Sequence, residues 1–214
     1  MTSEYSKIRR LETSKPTSLP AEAVPAEAHP ESRAYLLGRG LSLGEIKFYD
    51  LHYCAGGFWS RRVIIPMYDE QGTLLAFQGR HLDDEEPRYK TQGPRPIYMP
   101  DFEAVMAGSH LVICEGPFDA FAILRAGWPA VATLGILPSP AQVDALITLA
   151  KSYQRVLIWF DTEATGEAFG LQMKLQPHIP TIVVIEPTIK DPGECDPNQI
   201  QKILGPIFEK RQKN

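Results

Sequence analysis

The sequence predicts an α/β protein: a parallel sheet flanked by helices, preceded by a small α+β subdomain that carries a β-hairpin. Three observations point there. From about residue 101 onward, short apolar runs alternate with helical patterns, as strand–helix–strand crossovers do. Two of those runs, 111–114 and 156–160, are apolar throughout, as strands buried on both faces are. Upstream, the runs 63–68 and 73–77 flank Asp69-Glu70-Gln71-Gly72, a turn composition between two strands.

The elements follow in order. Residues 1–30 read as a linker or disordered tail, because Pro16, Pro20, Pro25 and Pro30 interrupt a stretch rich in Ser, Thr, Ala and Glu. Residues 31–100 form the small subdomain. A short helix over 34–37 is ended by Gly38 or Gly40. Ser42-Leu43-Gly44-Glu45 is a capping box that starts a second helix through Ile46 and Phe48. Pro66 makes the first hairpin strand an edge strand or a bulged one. Residues 81–100, rich in charges and prolines, read as a long loop. The second domain spans 101–208. It is predicted as helix 101–107, strand 111–115, helix 117–126, strand 130–133, helix 140–151, strand 155–160, helix 163–175, strand 181–186 and helix 197–205. The helix at 140 carries Ser139 as N-cap, Pro140 at its first position and Gln142 to close a box.

Composition narrows the class. The chain has 214 residues, 43% hydrophobic and 22% charged, which is ordinary for a globular protein. No run approaches a membrane span or a secretory signal, so a cytoplasmic location without a membrane partner is expected. Cys54, Cys114 and Cys195 are odd in number and far apart, giving neither a disulfide framework nor paired zinc ligands. The net charge of −4 is uneven: residues 1–100 carry 13 basic and 13 acidic side chains, residues 101–214 carry 9 and 13. A simple nucleic-acid binder is usually basic. Any polyanion here must be held by local Arg and Lys groups or through metal ions.

Two acidic signatures carry the chemistry. Glu115 ends the first apolar run, and Gly116-Pro117 turns straight into a helix, with Asp119 one turn on and able to face the same crevice. Asp161 and Glu163 end the second run; residues two apart on a strand point the same way, so both could reach one ion. Ligands of open α/β sheets bind outside the carboxyl ends of the strands. Carboxylates gathered there repel unless a hard divalent cation lies between them, which reads as a magnesium site serving phosphate chemistry. A third acidic stretch, 191–197, follows the last strand. Asp196 reads as the N-cap of the final helix, and Asp191 as a residue in support. Of the cations, Arg80 beside Gly79, the Arg88/Lys90 pair and Arg62 are the candidates for phosphate, since Arg offers bidentate contacts and Lys a compact charge.

These motifs resemble the Toprim domain shared by DnaG-type primases, type IA and type II topoisomerases and several nucleases. Glu115-Gly-x-x-Asp119 and Asp161-x-Glu163-x-x-Gly166 carry the resemblance. The segment 130–135 and Asp196-Pro197 narrow it to the primase form. Upstream, Tyr35-Leu36-x-x-Arg39-Gly40, Arg62-Val63-Ile64-Ile65-Pro66, Phe77-Gln78-Gly79-Arg80 and Pro87-Arg88-Tyr89 resemble the rest of a bacterial or phage primase catalytic core, so residues 34–205 are covered. The resemblance implies that Glu115, Asp161 and Glu163 ligate Mg2+ (or Mn2+), with Asp119 in support. It implies that Arg80, Arg88, Lys90 and Arg62 contact nucleoside triphosphates or a single-stranded DNA template, on which short RNA primers are made. It also implies that a zinc-ribbon or helicase module would come from a separate protein, as for a bare core from a phage or other mobile element. Glu163 stands where the family has Asp, one methylene shorter. A Toprim nuclease, or a degenerate Toprim module that binds single-stranded DNA or a replication protein, uses the same residues and is the alternative.

Overall fold

The chain divides into two units, Met1–Pro96 and Ile97–Asn214. The structure, a computed structural model, describes residues 17–209 apart from Glu70, Asp84 and Lys190.

The first unit is a five-stranded antiparallel sheet in the order β1-β2-β3-β4-β5. Its strands are β1 (Val24–Pro25), β2 (His52–Cys54), β3 (Arg62–Tyr68), β4 (Leu74–His81) and β5 (Tyr89–Gln92). The expected tail ends earlier than the sequence suggests. Residues 1–16 lie outside the described residues, but residues 17–29 pack on the sheet, and Val24–Pro25 form its first strand. Val24 pairs with Tyr53, the Ala26 N–H donates to the Leu51 carbonyl at 2.9 Å, and the Thr17 hydroxyl donates to the Leu75 carbonyl at 3.0 Å. Leu19 and Ala23 pack on a cluster of Cys54, Trp59, Ile64 and Phe77. The average composition of the segment hides these few apolar residues, and a preformed sheet gives them a partner.

Two helices connect β1 to β2. α1 (Pro30–Gly38) begins with Pro at its first position, four residues before the predicted start. α2 (Leu43–Phe48) has the predicted capping box, with the Ser42 and Glu45 side chains each accepting from the other's backbone N–H. β2 pairs with β3 only as far as Ile64, so beyond that point Pro66 interrupts no second ladder, and the register shifts between Met67 and Tyr68. The predicted loop over 81–100 contains β5, which pairs with β4 from Phe77↔Gln92 to Arg80↔Tyr89. Gly79 is required by packing: a Cβ there would stand 2.8 Å from the Trp59 ring.

The second unit is a four-stranded parallel sheet, β7-β6-β8-β9, flanked by helices. Its strands are β6 (His110–Cys114), β7 (Ala130–Ala132), β8 (Arg155–Ile158) and β9 (Thr181–Val183). Its helices are α3 (Phe102–Ala107), α4 (Pro117–Arg125), α5 (Pro140–Ala150), α6 (Thr165–Leu175) and α7 (Pro197–Glu209). Leu111, Val112 and Ile113 of β6 and Val156, Leu157 and Ile158 of β8 have no exposed surface, which is why both strands read as unbroken apolar runs. The Ser139–Gln142 capping box is formed. The predicted helix over 163–175 is a 3-10 turn, Thr162–Ala164, followed by α6. From β6 the chain crosses to β7 on one side, then places β8 on the other. The direction of winding therefore reverses between β6 and β8, and a crevice opens at their carboxyl ends.

Candidate metal and phosphate site

Glu115 leaves the end of β6 and Asp161 lies three residues past the end of β8, on the two sides of that crevice. They touch: the Asp161 N–H donates to Glu115 Oε1 at 2.9 Å. Asp119 lies in the first turn of α4 and is buried. It accepts from the Gly116 N–H at 2.8 Å and from the Gly193 N–H at 3.1 Å, so one carboxylate ties the β6–α4 corner to the segment after β9. That segment is a 3-10 turn, Pro192–Glu194, which begins at Asp191. Asp191 Oδ1 is buried and has no hydrogen-bond partner among the described residues.

The electrostatics of these acids are uncompensated. Burial raises the Glu115 carboxyl to about 7, aided by the negative charges of Asp161, Asp191 and Glu167 and opposed by the Asp161 N–H. Burial also holds Asp119 well above the carboxylate range, with Asp191, Asp161 and Glu115 adding to it and the Gly116 N–H opposing it. The Cys114 thiol, buried one residue before Glu115, is pushed up by burial and then by Asp119, Glu115 and Asp161. It donates to the Val131 carbonyl at 3.3 Å and acts as a small core side chain. Asp191 and Asp161 thus enter each other's neighbourhood through the acids they both act on.

Glu163 is placed differently from the sequence reading. The strand ends at Ile158, and Glu163 lies on the exposed 3-10 turn, where the two-residue alternation of a strand no longer applies. The charge of Glu167, one turn into α6, acts on Glu115. Asp196, likened above to the closing Asp-Pro of the family, is the N-cap of α7. It accepts from the Gln199 N–H at 2.9 Å, and Gln199 Oε1 accepts in return from the Asp196 N–H at 2.8 Å. Asp191, five residues earlier, is the residue at the site. Its signal in the sequence was Asp-Pro-Gly, eight residues past the end of the last parallel strand.

A loop after β7 supports the β6 corner. The Thr133 hydroxyl lies 3.2 Å from the Cys114 carbonyl and 2.8 Å from the Gly135 carbonyl, and Gln142 donates to the Thr133 carbonyl at 2.7 Å. The Gly135 N–H reaches the Glu115 carbonyl at 3.2 Å, and Leu134 sits buried with a left-handed φ of 61°. Gln142 was read only as a cap partner; its second hydrogen bond was not visible in the sequence.

The cations lie in the first unit. Arg62 is buried, and its guanidinium donates to the carbonyls of Gly79 (3.1 Å), Arg88 (3.1 Å) and Pro87 (2.7 Å). In this structure the Arg62 guanidinium laces backbone carbonyls together, and burial lowers its affinity for its proton. Arg80 lies over the Tyr89 ring, 5.1 Å from its centroid, and Lys90 lies 4.8 Å from the Phe58 centroid. Arg88 is half-buried.

The acid set suits a hard divalent cation in chemistry: all-oxygen donors, a buried Asp191 oxygen with no partner among the described residues, and carboxyls raised by burial and then by mutual repulsion. Among the described residues, no three His, Cys, Asp or Glu side chains already gather tightly enough to enclose an ion.

A sequence model of the Toprim domain matches residues 110–187. The chain carries a Toprim domain. That stretch holds Glu115, Asp119, Asp161 and Glu163, while Asp191 lies just beyond it. A DNA primase of Thermotoga maritima is 29% identical over 147 residues, 62% of this chain and 25% of that protein. A DNA primase of Synechococcus elongatus is 33% identical over 123 residues, 51% of this chain and 18% of that protein. The chain thus spans about a quarter or less of the curated relatives it matches. Among solved structures, a DnaG primase catalytic domain bound to single-stranded DNA superposes with a TM-score of 0.67 at 20% identity, covering 88% of this chain and 73% of that one. The primase fragment of the bacteriophage T7 primase-helicase gives 0.63 at 15% identity, covering 92% and 80%. The Toprim chain therefore has the fold of the DnaG catalytic core. No described helix is long and apolar enough to cross a membrane.

Proposed function

We propose that this chain is a DnaG-like primase core, a metal-dependent nucleotidyltransferase that makes short RNA primers on single-stranded DNA. The observation that supports it best is the meeting of Glu115 and Asp161 at the switch point of a Toprim sheet, with Asp119 and Asp191 in the same field. The relatives it matches are DNA primases, and one solved neighbour is a DnaG catalytic domain bound to single-stranded DNA.

Glu115, Asp161 and Asp191 would hold Mg2+ (or Mn2+), with Glu163 at the exposed rim as a further oxygen donor. When bound, the metal supplies Lewis-acid stabilisation of charge at the reacting phosphate. The chain's own residues do the rest. Asp119 fixes the β6–α4 corner against the turn at Gly193, which sets where Glu115 and Asp191 stand. The Asp161 N–H orients the Glu115 carboxyl. Arg80, Arg88 and Lys90 would meet the triphosphate of the incoming nucleotide or the phosphates of the template. Arg62 would act by shaping the strand and loop that carry Arg80 and Arg88.

The test is synthesis of labelled RNA by the native chain on single-stranded DNA with Mg2+ and the four ribonucleoside triphosphates. Primer-length product that disappears in Asp161→Asn is expected. Shortening of the DNA instead of growth of RNA would replace this reading with a nuclease.

A further inference from the structure

Between β2 and β3, the chain makes a tight turn in which the Ser60 N–H donates to the Gly57 carbonyl at 3.1 Å. Its two central residues are both aromatic, and they part company. Trp59 is 8% exposed and fills the core beside Phe77, whose ring centroid is 4.8 Å away. Phe58 is 73% exposed. With Trp59 already filling the core, Phe58 leaves most of its apolar ring in water, which is costly. Its ring is nonetheless held: it meets Trp59 edge-on at 5.4 Å, and the Lys90 ammonium stands 4.8 Å from its centroid. Lys90 lies on β5, the edge strand of the sheet, on the rung next to Tyr89 and Arg80.

We propose that Phe58 is a stacking platform for a base of single-stranded DNA, with Lys90 taking the adjoining phosphate; the assignment rests on the template role given above to the first unit. Single strands offer a π-face at every base and a phosphate beside it, so an oriented aromatic ring flanked by a cation matches their repeat. The charges set a direction. Glu22 packs its carboxylate against Gly57, one residue before Phe58, so the phosphates run over Lys90 and away from Glu22.

The experiment is fluorescence anisotropy of a short labelled oligothymidylate, without Mg2+ or nucleotides, against the full chain. Phe58→Leu, which keeps an apolar side chain, weakens binding about tenfold, a loss in the range of one stacked base. Phe58→Tyr restores it. An abasic strand of equal length binds the native chain and Phe58→Leu alike. Lys90→Ala lowers the slope of log affinity against log salt by about one. Equal binding by Phe58→Leu and the native chain, an equal loss on the abasic strand, or no binding by the native chain overturns the proposal. Primer synthesis is scored separately: synthesis with normal binding by Phe58→Leu removes this inference alone, and stacking loss without synthesis removes the polymerising role alone.

Discussion

Arg62 and Glu115 are both ionisable groups drawn out of water, and the chain treats them in opposite ways. In the first unit, the Arg62 guanidinium has three carbonyls as acceptors, 2.7 to 3.1 Å away. Nearby, Tyr53 donates to Glu31 at 2.5 Å, and Glu31 in turn pairs with Arg61 at 2.6 Å. In the second unit, Glu115 and Asp119 have backbone N–H donors but face further carboxylates, and an Asp191 oxygen has no partner among the described residues. A satisfied buried charge holds structure together. An unsatisfied cluster of one sign costs stability and persists where its chemistry is used.

That contrast can be broken most directly at the acids. Asp161→Asn and Glu115→Gln are each expected to lower primer synthesis by about a thousandfold or more while the chain stays folded, because the charge stabilisation they provide is worth several kcal/mol. Initial rates and a far-ultraviolet spectrum check this. Glu163→Gln, at the exposed rim, should cost less than either; an equal loss would put Glu163 level with them as a ligand.

Arg62→Met tests the other half. It removes the guanidinium donor from three carbonyls of the β3–β4–loop junction, of which that of Arg88 keeps the His81 N–H, and should destabilise the first unit by about 2 kcal/mol, measured by urea denaturation. A loss under about 1 kcal/mol would mean that water replaces the guanidinium freely.

Glu115→Gln should also stabilise the metal-free protein. Burial holds the folded carboxyl at about 7, above its ordinary 4.5, so the folded state binds the proton more tightly than the unfolded state does. The native chain therefore loses stability as pH rises from about 4.5 to about 7, and the loss is complete above that. The benefit of Gln grows over the same window to roughly 1–2 kcal/mol, once water screening at the half-buried carboxyl is allowed for. In melts this is a Tm higher by about 4 °C at pH 8 and unchanged at pH 4. Mn2+ should raise the Tm of the native chain and leave that of Glu115→Gln where it is. The smallest effect is at a cap: Ser139→Ala should cost about 1 kcal/mol, with no change in metal response.

Much of this was legible in one dimension. Continuous apolar runs announced β6 and β8, since strands buried on both faces leave no room for alternation. Ser42, Ser139 and their partners three residues on announced helix starts, because a cap is a local contact between near neighbours. Glu115 and Asp161 could be paired because each follows such a run. Other features depend on distant partners. β5 lies in a charged, proline-containing stretch and exists because β4 offers it an edge. Residues 17–29 pack on the sheet through a few side chains. Arg62 reads as a phosphate ligand, and its carbonyl acceptors, 17 to 26 residues away, were not visible in the sequence.

Sequence alone determined the α/β alternation, the crevice and the two principal acids, because hydrophobic period and capping are short-range properties of the chain. Only the tertiary structure decided that Asp119 ties the turn after Asp191 to the β6–α4 corner, that Glu163 sits on an exposed turn, and that of two adjacent aromatics Trp59 goes inward and Phe58 outward. Those choices depend on where β8 stops, how the segment after β9 turns back toward α4, and which side chain fills the space above Gly79. Each is settled by packing between residues far apart in the chain.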